Sequence, residues 1–200
     1  MELKFIIIVP HGFNDPSITV RHNDVRALDV AKKLESIIKE LGYVPDFYVA
    51  DIHRATVDYN RKPSRGMPLR IEIREKIKQH HQEGHYVVVF EMHSFPPGYD
   101  FYDFKDSPVA LLSIPRYEKD MKIITDYLNK NTDIKTIPVP STLTNDIQYD
   151  TSENIKKNID HYLIEFHEDE KELKTSQIDN MLPILVEGVT NYIKCKKSNN

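Results

Sequence analysis

A single cysteine, Cys195, stands in the 200 residues, so no disulfide can close within the chain. Its place in a Lys- and Asn-rich end also suits a nucleophile poorly, since a reactive thiol needs surroundings that favour the thiolate. A reducing cytoplasm is the expected location. No apolar run approaches the ~20 residues that cross a bilayer. The apolar start Phe5–Val9 is too short for a signal-peptide core and meets Pro10-His11 without a small-residue cleavage site. Basic excess is lacking as well. Lys and Arg number 27 against 31 Asp and Glu, a net charge of −4, which provides no overall field for nucleic acid. Lys194, Lys196 and Lys197 make a short basic end without the aromatic platforms that single strands use. Neither an internal repeat nor a low-complexity block is present.

What remains is a packed chain, 40% apolar and 29% charged, of a size served by one core. One domain over residues 1–200 is expected, with 194–200 as a flexible tail. Phe5–Val9 reads as a buried first strand. Val25, Leu28, Val30, Ala31, Leu34, Ile37, Ile38 and Leu41 then recur at helical spacing up to Gly42. Phe47–Ala50 predicts a short strand, and Leu69 to Ile77 a helix ending near Gly84. Tyr86–Phe90 reads as a central strand buried on both faces, and Val109–Ser113 as another strand. A helix over Tyr117–Leu128, a strand over Tyr162–Phe166 and a closing helix over Ile178–Ile193 complete the pattern. Alternating strands and helices predict an α/β fold, a mostly parallel or mixed central sheet with helices on both faces. Ligands in such folds bind beyond the carboxyl ends of the strands.

Chemistry-bearing residues collect at those ends. The first run leads into His11, the Tyr86–Phe90 run leads into Glu91-Met92-His93-Ser94, and the late strand carries Glu165. Two imidazoles and one carboxylate make a three-ligand zinc site with a position open for water, whose pKa the metal lowers to about 7. A second group, His80, His81 and His85 around Gly84, reads instead as a solvated helix end where the dipole favours histidine.

Three segments occur in order: Val9-Pro10-His11-Gly12, Arg54-x-x-Val57-Asp58-x-Asn60-Arg61 and Phe90-Glu91-Met92-His93-Ser94. Together they resemble the N-formylglutamate amidohydrolases, relatives of the zinc carboxypeptidases and of the aspartoacylase and succinylglutamate desuccinylase enzymes. The resemblance covers most of residues 5–95. It implies a phosphorylase/hydrolase-like fold and zinc-dependent cleavage of the amide bond of an N-acylated acidic amino acid, or of a related small molecule or short peptide bearing a carboxylate. Carried over, His11 and His93 are metal ligands, and an acidic residue early in the first helix region is the third. Asp24 is the choice there, with Asp15 and His22 as rivals. A carboxylate at a helix start also suits the macrodipole, and Asp24 has a purely capping role as its alternative. Asn60 and Arg61 correspond to the substrate-carboxylate clamp, a task for which the planar guanidinium is suited. Arg54 beside them polarises the scissile carbonyl or adds a second anion contact. Glu165 corresponds to the general base, with Glu168 as fallback; apart from the resemblance, strand alternation puts Glu91 on the same side as His93, where it can orient a ligand from behind. The chain departs from the family in its shorter length, its six glycines and the Glu at 91 where Asp is usual. A ligand-binding protein that keeps the fold without catalysis is the alternative function.

Overall fold

A computed structural model describes residues 2–13, 24–98, 107–140 and 146–198. Strands and helices follow as β1 (Leu3–Val9), α1 (Ala27–Glu40), β2 (Asp46–Val49), α2 (Pro68–Gln82), β3 (Tyr86–Phe95), β4 (Val109–Ser113), α3 (Glu118–Asn131), β5 (Thr136–Pro140), α4 (Asp146–Asn154), β6 (Ile159–His167) and α5 (Thr175–Ser198). One six-stranded sheet takes the order β2-β1-β3-β6-β4-β5. β2, β1, β3 and β6 run parallel; β4 pairs antiparallel with β6, and β5 parallel with β4. The sheet is therefore mixed, with helices on both faces, as the alternation of elements predicts.

Period-two alternation sorts the core. Phe5, Ile7 and Val9 of β1, Val88 and Phe90 of β3, and Tyr162, Ile164 and Phe166 of β6 pack against α1, α3 and α5. Ile6, Ile8, Val87 and Val89 point the other way, onto Ile73 and Ile77 of α2 and Ile147 of α4. Burying each such side chain is worth about 1.5–3 kcal/mol, which is why the apolar strand runs resist both unpairing and a shift of register. Behind the second face, Arg70 is a buried guanidinium held by Asp146 and Asp150, each at 3.0 Å, and by the Tyr59 carbonyl at 2.6 Å. It fastens α4 to α2.

Four features differ from the sequence reading. β3 runs through Phe95, so Glu91 and His93 lie inside the strand instead of beyond it. β5 and α4 have no counterpart in that reading; β5 carries Pro138 and Pro140, which an edge position tolerates because no ladder donor is required there. The expected tail is helical through Ser198, because Ile193 is buried and Lys196 Nζ reaches Asp120 and Asp160, both at 3.0 Å. His80 is buried instead of solvated, its Nε2 lying 2.6 Å from Asp46 Oδ2. No described helix is long and apolar enough to cross a membrane.

Candidate metal centre

The carboxyl ends of the parallel strands bring the first and third motifs together. His11 stands two residues past β1, where the chain turns sharply and Gly12 N–H donates to Val9 O. A Cβ on Gly12 would lie 2.8 Å from Val9 Cγ1 and 3.0 Å from Val49 Cγ1, so only glycine fits the turn that swings His11 over the sheet. His93 reaches the same place from β3, and Asp24 from the approach to α1, where its carbonyl accepts Ala27 N–H.

Asp24 Oδ2 lies 3.1 Å from His11 Nδ1 and 2.7 Å from His93 Nδ1. One candidate donor atom from each of the three residues falls within 4.8 Å of the other two, and all three residues are buried. The far side of each ring is also occupied. His11 Nε2 is 2.8 Å from Asp58 Oδ1, and His93 Nε2 is 3.0 Å from Glu91 Oε1. Glu91, with no exposed surface, turns its other oxygen to His161 Nε2 at 2.9 Å. A carboxylate behind each ring keeps the Nε2 proton and leaves the Nδ1 lone pair facing Asp24.

That arrangement tests the donor set for a metal. A neutral Nδ1 and a carboxylate oxygen are both acceptors, so they approach closely only with a cation between them. Without a metal, the proton serves. Burial alone would lower the His93 pKa, but its hydrogen bonds to Asp24 and Glu91, with the charge of Glu165, push it up to about 10. Burial likewise opposes ionisation of Asp24, yet His11 and His93 hold its carboxyl well below the usual range. Asp58 is held low against burial by His11, Arg54 and Arg61, and Glu91 is brought down to about 2 by His161 and His93. Asp24, Asp58, Glu91 and Glu165 thus gather around the two imidazoles, with Arg54 and Arg61 beside Asp58, and a divalent cation would supply further positive charge there. The residues fit zinc.

Glu165 is the fourth carboxylate. On β6 it is the register partner of His93 on β3 and of Ala110 on β4, with Leu163 on its own face as strand alternation requires. Burial pushes its carboxyl up to about 7; His93 and Arg54 pull it down, while Asp24 and Glu91 push it back up. Glu168 is engaged elsewhere, accepting from Ser94 Oγ at 2.7 Å and Val25 N–H at 3.2 Å. Arg54 Nη1 lies 3.3 Å from Asp24 Oδ1 and its Nε 3.6 Å from Asp58 Oδ2. Arg61, about one-third exposed, bonds the Asn60 carbonyl and lies 3.6 Å from Asp58 Oδ2. Asn60 is buried, its amide nitrogen 3.5 Å from His93 Nε2 and its oxygen accepting from Ile147 N–H at 3.3 Å, so it braces α4 against the site. Asp15 and His22 lie outside the described residues. Among those described, no other metal-ligand cluster occurs, at His80 or elsewhere.

Sequence reasoning missed two partners. Asp58 was legible as part of the Asp-x-Asn-Arg loop, but nothing local showed that it would reach His11. His161 shares a face with Leu163 and Glu165, and alternation along β6 was the available signal.

No family model and no curated protein matches the chain. Among solved structures, it is similar to gene product Atu2144 from Agrobacterium tumefaciens, at TM-score 0.66 and 15% identity, covering 98% of this chain and 92% of that one. The amidase CwlD from Clostridioides difficile, solved in complex with the GerS lipoprotein, gives TM-score 0.56 and 14% identity, with 96% and 98% covered. The N-acetylmuramoyl-L-alanine amidase AmiC2 of Nostoc punctiforme gives 0.54 and 12%, with 96% and 97% covered. At these identities the likeness is one of fold, and it extends over nearly the whole length of each chain.

Proposed function

We propose that this protein is a zinc-dependent amidohydrolase that cleaves the bond between an acyl group and the nitrogen of an amino acid or short peptide bearing a carboxylate. The observation that carries the reading is the shared approach of two Nδ1 atoms to one Asp24 oxygen, each ring backed by its own carboxylate, with Glu165 alongside. His11, Asp24 and His93 would hold the zinc, which when bound supplies Lewis-acid polarisation of a carbonyl and lowers the pKa of water to about 7. Glu165, with a carboxyl balanced near neutrality, takes a proton from the attacking water and returns it to the departing nitrogen. Arg54 stabilises the negative charge that develops on the carbonyl oxygen, held for that task by Asp24 and Asp58. Arg61 grips the substrate carboxylate, and Asn60 holds α4 against the site through the Ile147 N–H.

Two of the similar structures are named as amidases, which supports an amide as the scissile bond. The bond in N-acetylmuramoyl-L-alanine and that in N-formylglutamate share a feature: both join an acyl group to an amino-acid nitrogen. The N-acyl acidic amino acids are the first substrates to test, and muramoyl peptides the second. Glu165→Gln should retain zinc and lose turnover of whichever substrate the wild type cleaves. Full activity in that variant would remove Glu165 from the scheme, and no turnover of either class by the zinc-loaded wild type would favour a binding protein.

A further inference from the structure

At the opposite pole of the sheet, a cavity of about 810 Å³ opens where β3 and β6 begin and α5 ends. That volume lies in the range of small-molecule sites, roughly 300–1,000 Å³. Its walls carry five cationic side chains, Arg116, Lys156, Lys157, Lys196 and Lys197, against two carboxylates, Asp120 and Asp160. On a chain whose net charge is −4, this is a local reversal of sign.

The two carboxylates are already committed to one of the cations. Lys196 Nζ bridges Asp120 Oδ2 and Asp160 Oδ1, both at 3.0 Å, while Tyr192 and Tyr86 donate to the same pair. Arg116 donates to the Ser152 and Ile155 carbonyls and lies over the Tyr117 ring, its Cζ 5.2 Å from the centroid, and Lys156 Nζ lies on the Ser152 carbonyl at 3.1 Å. Arg116, Lys156 and Lys157 thus meet no carboxylate among the described residues. Lys197 lies over the Tyr86 ring with its Nζ 5.1 Å from the centroid. Tyr117, on the same wall, has its hydroxyl buried without a hydrogen-bond partner among the described residues. Arg116, Lys156 and Lys157 thus present positive charge to a concavity with no described carboxylate against them, and a bound anion would supply the counter-charge.

We infer that this cavity binds a small multivalent anion, a ligand carrying phosphate or carboxylate groups, at a site separate from the metal centre. Tyr86 and Tyr117 are almost wholly buried, so their ring faces are closed to stacking, and the recognition is by charge. The inference stands whether or not the amidohydrolase reading holds.

Isothermal titration of the full chain with inorganic pyrophosphate, and separately with citrate, at an ionic strength fixed with sodium chloride, tests it. Saturable binding of at least one probe is expected, and the stronger of the two tells phosphate from carboxylate chemistry. Lys156 and Lys157 are exposed, so the double variant Lys156→Glu, Lys157→Glu should fold and bind more weakly by roughly tenfold or more, the order expected when charges beside an anion are reversed near a protein surface. His93→Ala should bind as the wild type does, which separates this site from the metal centre. Absence of saturable binding by either probe, unchanged binding in the double variant, or loss of binding in His93→Ala would each overturn the inference.

Discussion

Glu91→Gln isolates the charge behind one proposed ligand without changing its shape. The side chain has no exposed surface and bridges His93 Nε2 at 3.0 Å and His161 Nε2 at 2.9 Å. A glutamine can still accept from His93 through its oxygen, but its amide then donates toward His161. His161 can accommodate this by moving its proton to Nδ1, which has no partner among the described residues. The His93 tautomer therefore survives, with Nδ1 facing Asp24, and what is lost is the negative charge that makes the ring a better donor. Loss of such an outer partner weakens metal binding by about 10–100-fold, or about 1.4–2.8 kcal/mol at 1.4 kcal/mol per decade. Competition against a chromophoric zinc chelator, with far-UV circular dichroism to verify the fold, measures the change. Wild-type zinc affinity in a folded Glu91→Gln protein would refute the role given to Glu91.

The remaining predictions concern pH and the frame around the site. Zinc affinity should rise with pH and binding should release protons, because burial alone would lower the His93 pKa but Asp24 and Glu91 push it up to about 10, and the metal must displace that proton; chelator competition from neutral to alkaline pH checks it. The limb of kcat/KM that reports the base should fall below a pKa no higher than about 7, since Glu165 must be ionised to accept a proton and a nearby cation can only lower its value. Arg70→Ala should cost about 3–5 kcal/mol in urea unfolding, the usual effect of leaving buried charge unpaired. Acid should attack the same frame. Burial raises the Asp146 pKa, but Arg65 and Arg70 hold it below its ordinary value, so its stabilisation is present above the unfolded-state pKa and is lost as pH falls through the folded-state value. An Asp146→Asn protein should show a shallower acid unfolding curve.

The strand runs and their alternation made most of the sheet legible, because Phe5–Val9 and Tyr86–Phe90 are too apolar to lie anywhere but between two helical layers. Direction was not legible. Whether β4 runs with or against β6 depends on the path of the intervening chain, and nothing in Val109–Ser113 encodes it. β5 was hidden by prolines that only its edge position tolerates, and α4 by a weakly apolar sequence whose place is set by Arg70 and Asn60 from other elements. At the site, the resemblance named His11, Asp24 and His93, with Asp15 and His22 as rivals to Asp24, and the fold brings those three side chains together. Asp58 behind His11 and His161 behind Glu91 were not legible, since both are contacts across long separations that only the folded register creates.

Zinc content per folded chain, measured on protein purified without chelator and compared among the wild type, His11→Ala and His93→Ala, tests the central claim most directly. The account predicts stoichiometric zinc in the wild type and its loss in both variants, with the far-UV spectrum of each preserved. A wild-type protein that takes up no zinc even when the metal is supplied, or variants that keep it, would contradict the metal centre built on His11, Asp24 and His93.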